Sequence, residues 1–226
     1  MKKLTAIVLF TSAVIISACA DPAANKPKAQ TSEPSNSVAN KTDAAPVVTN
    51  VFADFKAKGT ELAVDGASSK IEFAGSKVTG KHDGGFKTFK GVVDLVGDKA
   101  EDSRVLFEID MSSVFTDADG LTKHLQTGDF FDAAKYPKAS FVSTKIVADA
   151  AKGAGNFTVT GDLEIRGVKK SVTFPAKITL SATEAAVESE FSIDRKDFGI
   201  VYAGKADDLI RDDVVLRLNL HAPKNK

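Results

Sequence analysis

The chain has 226 residues, with 30 basic and 30 acidic side chains, 43% hydrophobic residues, one cysteine and no tryptophan. So even a balance argues against a nucleic-acid partner, which would need a basic face, and a single cysteine excludes an internal disulfide framework. The length is enough for one domain with a sizeable core once non-domain segments are set aside.

Residues 1–18 read as an address label. Lys2 and Lys3 precede an apolar run from Leu4 to Ile16, too short to span a bilayer after processing and shaped like a secretory signal. The run ends in Ile16-Ser17-Ala18-Cys19, which resembles a bacterial lipobox: cleavage before Cys19 and lipidation of its thiol, palmitate included. Ala20 follows rather than an aspartate, which by resemblance to enteric sorting rules favours the outer membrane, facing the periplasm. Without Lys2 and Lys3 the balance becomes 28 basic against 30 acidic residues. Residues 19–58 form the next segment. From Ala20 to about Asn50 it is rich in Ala, Asn, Lys, Pro, Ser and Thr, too poor in apolar surface to offset its ordering entropy, and reads as a flexible tether. A coil of ~30 residues reaches ~30 Å. Residues 59–226 are the domain.

Strand-like runs then follow one another: Leu62 to Asp65, Lys70 to Lys81, Phe89 to Val96, Val105 to Met111 and Phe141 to Val147. Two more close the chain, Val187 to Asp194 and Val214 to Leu220. Eight or so such runs with little helical pattern suggest an antiparallel barrel or sandwich. The clearest signal lies between Phe157 and Ile178, where apolar and polar residues alternate on both sides of Arg166-Gly167. A two-residue hairpin loop there sets Ile165 opposite Val168, Gly161 opposite Val172, Val159 opposite Phe174 and Phe157 opposite Ala176. The outer face then carries Glu164 against Lys169 and Thr160 against Thr173, each pair contributing roughly 0.2–1 kcal/mol. A slip of one residue mixes the faces, so the pattern specifies its own register. Lys170 alone breaks it. Arg-Gly is a weaker turn signal than Asn-Gly, which leaves a bulged or longer loop open.

The interruption between Thr116 and Lys138 predicts a short helix capped by Asp119. Phe130, Phe131 and Tyr136 follow, and burying such rings gains ~1.5–3 kcal/mol each. The segment is therefore expected to fold as a plug over one end of the barrel.

Three separated motifs carry a resemblance. His124-Leu125, Asp129-Phe130-Phe131-Asp132, Lys135-Tyr136-Pro137 and Ala139-Ser140-Phe141 make up the first. The second runs from Val159 to Val168 (VTGDLEIRGV), and the third from Phe191 to Gly199 (FSIDRKDFG). In this order, within about Leu62 to Ala222, they resemble the signature of the YceI-like family. The resemblance implies a secreted, all-β, lipocalin-like eight-stranded antiparallel barrel. It also implies that the barrel holds a long amphiphile, a polyisoprenoid or fatty-acid derivative, in an apolar tunnel. The Cys19 anchor and the short acidic connection Ala206-Asp207-Asp208-Leu209 depart from the family pattern.

Physically, a barrel of eight strands is either filled by its own side chains or holds one small ligand, and the sequence does not choose between them. Gly75, Gly91 and Gly161 on apolar strand faces either leave room for a chain-like ligand or mark bends and close packing. The expected tunnel residues are Phe107, Ile109, Met111, Val159, Leu163, Val172, Phe174, Ile178, Phe191 and Ile193. His124 is the candidate donor to a ligand head group; its plainer role is a hydrogen bond that fixes the plug. Nothing local specifies a nucleophile with its base, a cofactor or a metal, since His82, His124 and His221 lack metal-site spacing. Lys81-His82-Asp83-Gly84-Gly85 reads as a hairpin loop rather than a nucleotide cradle. Asp194-Arg195-Lys196-Asp197 reads as a strand end with a weak local ion pair, and Asp212-Asp213 as a polar turn. The leading expectation is an anchored, non-enzymatic carrier of an amphiphilic lipid, attached to the membrane by its N-terminal lipid. The competing one is a filled barrel acting as an envelope stress-response or protein-interaction module. Oligomeric state is left open, a homodimer included.

Overall fold

The computed structural model describes residues 21–34, 50–53 and 55–224. The expected signal segment, Cys19 and residues 35–49 of the expected tether lie outside the described residues. The strands are β1 (Gln30–Ser32), β2 (Thr60–Asp65), β3 (Lys70–Lys77), β4 (Gly80–Phe86), β5 (Phe89–Val96), β6 (Lys99–Asp110) and β7 (Val114–Thr116). After helix α1 (Asp119–Leu125) come β8 (Lys138–Ala148), β9 (Asn156–Ile165), β10 (Val168–Leu180), β11 (Glu184–Asp194), β12 (Gly204–Lys205), β13 (Asp208–Leu209) and β14 (Asp213–Pro223).

One 12-stranded sheet runs in the order β2-β5-β6-β8-β9-β10-β11-β14-β3-β4-β7, with β1 added on β10, while β12 and β13 form a separate hairpin. β2 lies against β14, so the sheet curls round on itself. The all-β, lipocalin-like expectation agrees with this, but the strand count exceeds eight. The run from Lys70 to Lys81 is in fact two strands, β3 and β4, paired from Glu72↔Gly85 to Lys77↔Gly80. Gly80–Phe86 carries no apolar alternation to mark it as a strand. Gly84 and Gly85 are needed for close packing: a Cβ on Gly84 would lie 2.6 Å from the Phe73 ring, and one on Gly85 3.0 Å from Phe115. The stretch expected as a hairpin loop is therefore strand.

The β9–β10 hairpin has the register the alternation predicts, from Ile165↔Val168 through Val159↔Phe174 to Phe157↔Ala176. Arg166 and Gly167 both take positive φ, 54° and 71°, as a two-residue type I′ turn requires. On the outer face Thr160 and Thr173 share a hydrogen bond of 2.9 Å, and Lys169 pairs with Glu164 at 3.4 Å.

β10 continues into β11 with a much shorter ladder, only Lys177↔Glu188 to Leu180↔Ala185. Pro175 explains where it stops. Ser189 Oγ donates to the Pro175 carbonyl at 2.5 Å, so that residue's main-chain groups face β11, and proline has no N–H to give. Beyond it the strands separate, and residues 27–32 fill the gap. Gln30, Thr31 and Ser32 pair antiparallel with Thr173, Val172 and Ser171 of β10. On the other side Ala29 N–H donates to the Ser192 carbonyl at 2.8 Å, and Ser192 N–H to the Pro27 carbonyl at 2.9 Å.

The tether expectation is thus corrected for residues 21–34, which pack as an arm on the barrel. Its low apolar content misled, because the arm is held by main-chain bonds and charge. Each of its four charged residues meets an opposite charge: Asp21 with Arg211, Lys26 with Glu190, Lys28 with Asp213, and Glu33 with Lys170. That pairing also accounts for Lys170 on the otherwise apolar face of β10.

Candidate functional site

Inward-facing residues of the curled sheet enclose a cavity of about 400 Å³, within the ~300–1,000 Å³ typical of ligand pockets. All ten expected tunnel residues line it. They come from β6, β9, β10 and β11, with Met111 in the short 3₁₀ turn that follows β6. The wall is almost wholly aliphatic and aromatic, and Phe174 and Phe191 stack within it at 4.2 Å and 9°.

The glycines divide between the two roles left open by the sequence. Gly75 lines the cavity, and a Cβ there would meet nothing within 4 Å, so its missing side chain is open space. At Gly91 and Gly161 a Cβ would lie 2.5 Å from the Phe107 ring and 2.4 Å from the Phe141 ring. Those two glycines let rings from the neighbouring strands fold over them.

The plug segment contributes Leu121, Leu125, Phe130 and Phe131 to the cavity wall. α1 begins at Asp119, but the cap position is Ala118 and has no side-chain bond. Asp119 instead places its charge in the first turn, where the helix dipole favours it. Leu125 and Phe130 are buried with Phe73, Val114 and Ile200, and Phe131 packs against them. Arg166 Nη1 donates to the Phe130 carbonyl at 2.8 Å, and the Tyr136 ring lies where a Cβ on Gly167 would fall. The hairpin turn and the plug therefore fix each other.

His124 does not line the cavity. Its Nε2 is 2.7 Å from Asp129 Oδ2, and its ring packs edge-on against Phe130 and Tyr202. This is the plug-fixing role. The histidine at the cavity rim is His82 of β4, with Nδ1 2.7 Å from Asp117 Oδ1. The third, His221, pairs with Glu184. Among the described residues no three His, Cys, Asp or Glu side chains converge as a metal site would need.

Arg195 is the largest departure from the sequence reading. It is 4% exposed and lines the cavity. Its guanidinium donates to the carbonyls of Ile200 (2.7 Å) and Arg211 (3.1 Å) and to Asp212 Oδ1 (3.1 Å). The buried cation so ties loop 200–212 to the end of β11. Asp212 is more than a turn residue: hydrogen bonding to Lys196, with Arg195 beside it, holds its carboxyl below the ordinary range against the opposing effect of burial. Only the order Asp-Arg-Lys-Asp at a strand end hints at this, and it does not reveal the partner Asp212, seventeen residues on.

The rim is polar. Lys77 pairs with Asp208 of the acidic connection, Arg211 with Asp21 of the arm at 3.3 Å, and Ser76 Oγ is buried without a partner. Lys77, Arg211 and Ser76 all border the cavity. On the opposite face of the sheet, away from the lining residues Leu216 and Leu218, Arg217 bridges Glu190 (2.9 Å) and Asp83 (3.0 Å). Such a site can hold a hydrocarbon chain and orient a polar end at the rim.

A curled antiparallel sheet around an apolar cavity defines a lipocalin-like binding barrel. The chain belongs to the YceI-like domain family, whose model matches residues 62–222. It is similar to the UPF0312 proteins of Vibrio campbellii (36% identical over 126 residues, 54% of this chain and 65% of the relative) and Shewanella denitrificans (34% over 146 residues, 60% and 73%). The match spans less than two thirds of the V. campbellii relative, and 48% of the V. parahaemolyticus one. Among solved structures it resembles Burkholderia cenocepacia BcnA, with TM-score 0.60 and 26% identity over 70% of this chain and 99% of that one. The Campylobacter jejuni YCEI protein has TM-score 0.56 and 28% identity over 63% and 85%. A Saccharophagus degradans domain described as polyisoprenoid-binding shares the fold at TM-score 0.57 and 21% identity, over 73% and 100%.

Proposed function

We propose that this chain is a lipid-anchored protein of the bacterial envelope that holds one long amphiphile in its cavity. A polyisoprenoid or fatty-acid derivative is stored or carried there without chemical turnover. The observation that carries the reading is the apolar cavity, whose polar lining groups are Arg195, already bonded to carbonyls and Asp212, and a few at the rim. Burying ~10 methylene groups at ~0.8 kcal/mol each gives ~8 kcal/mol before ordering costs, which corresponds to micromolar binding. The likeness to a domain described as polyisoprenoid-binding supports the hydrocarbon class, the Ile16-Ser17-Ala18-Cys19 run supports lipid anchoring, and Ala20 after it supports the outer membrane. Native mass spectrometry and organic extraction of the purified protein test the reading. A prenyl or acyl species should leave with the protein at one per chain; a cavity that stays empty and takes up neither farnesol nor a fluorescent polyene fatty acid overturns it.

A further inference from the structure

Among the described residues, three of the four exposed large apolar ones, Val78, Val201 and Leu209, are 58%, 66% and 49% exposed. They sit together in the fold. Val78 N–H donates to the Leu209 carbonyl at 3.2 Å, and Ile210 N–H to the Ala203 carbonyl at 2.9 Å. Gly204 and Leu209 are partners in the β12–β13 hairpin. The two loops that carry these side chains thus adjoin at the cavity rim formed by Ser76, Lys77, Ile210 and Arg211.

The arm brings its first described residue, Asp21, to the same place. Asp21 is bonded to Arg211, and Cys19 is two residues away, a span of at most ~7 Å. With the arm docked, a lipid on Cys19 has no slack to hold the barrel at a distance. We propose that the rim bearing Val78, Val201 and Leu209 is a lipid-docking face, pressed against the bilayer by the anchor so that the cavity opens directly onto the lipid that supplies its ligand. The partner is a neutral lipid surface, met by aliphatic side chains: Lys77 and Arg211 are already paired with Asp208 and Asp21, and the exposed Lys205 of β12 is balanced in the same hairpin by the exposed Asp207. The inference rests on the carrier reading and on anchoring at Cys19, and it replaces a free tether with a close, oriented attachment.

The sole cysteine permits a test that does not depend on natural lipidation. The chain starting at Cys19 is coupled through that thiol to maleimide-lipid phosphatidylcholine vesicles. Because the protein has no tryptophan, Val201→Trp is a unique reporter. Its emission should shift blue and be quenched by brominated lipid on coupling, and a long Gly-Ser insert between Ala20 and Asp21 should weaken the quenching. Transfer of a polyene fatty acid from vesicle to cavity should slow roughly tenfold or more in Val201→Asp/Leu209→Asp, since membrane contact scales with buried apolar area. Uptake from solution should be unchanged in that variant. An unquenched reporter, or transfer unaffected by the two aspartates, overturns the docking face. If no form takes up the fatty acid even from solution, the carrier reading falls instead, and reporter quenching still decides whether the rim meets lipid.

Discussion

The two edges of β10 are built differently. Toward β9 it pairs continuously from Val168 to Lys177; toward β11 it pairs directly over only Lys177 to Leu180, and the rest of the seam is closed by the arm. The first edge is made by a tight turn and by alternation, so its cost in loop closure is small. The second joins segments more than 130 residues apart through short main-chain pairing and half-exposed ion pairs, each worth roughly 0–1 kcal/mol. A barrel wall can therefore be continuous in shape yet uneven in strength, with the arm seam the part expected to open first.

The comparison breaks most severely at Phe191. This β11 ring, 2% exposed, stacks on Phe174 beneath the arm, and Ala29 is buried in the same cluster. Phe191→Ala is expected to cost about 3–5 kcal/mol, measured by urea unfolding, and to loosen the arm before the β9–β10 hairpin. Amide exchange should show Ala29 and Ser192 losing protection while Thr160 and Thr173 lose less.

A smaller effect isolates the role of proline. Pro175→Thr restores an N–H facing β11, with a net gain of about 1 kcal/mol or less if it pairs. The β10–β11 ladder should then lengthen past Lys177, and the arm, which competes for the same seam, should exchange faster. A ladder that still ends at Lys177 would show that the arm, rather than the missing donor, sets the split.

How much of this was legible follows from the range of each interaction. Val159, Phe174 and their neighbours announce both strand and register because alternation and turn are local. The same local logic placed all ten tunnel residues on the cavity wall. It could not place β4, whose Gly84 and Gly85 exist to receive the rings of Phe73 and Phe115. Nor could it place Arg195, whose partners are carbonyls of a later loop. The arm has the sequence of a tether because its composition is that of one. The clues lay elsewhere, in Lys170 on an apolar face and in a proline inside a long strand.

The smallest expected effect is on pH dependence, and it also divides the two edges. Hydrogen bonds from Lys26 of the arm, and then from Arg217, hold the Glu190 carboxyl below its ordinary range. Asp83 is lowered likewise by Lys81, with burial opposing and Arg217 assisting. A depressed carboxylate stabilises the state that depresses it at pH above the free value, about 4.3 for Glu, and that contribution is lost as pH falls through the lowered value. Lys28 is raised chiefly by its bond to Asp213, so its contribution is lost only as pH rises past the ordinary lysine range. The arm's grip should therefore be level from about pH 5 to pH 10 and weaken below about pH 4. Both carboxyls are partly exposed, so solvent screening keeps the effect modest. In amide spectra recorded down the acid limb, Ala29 and Ser192 should shift before Thr160 and Thr173. Simultaneous loss of all four would mean that the two edges fail as one unit and that the arm carries no separate weakness.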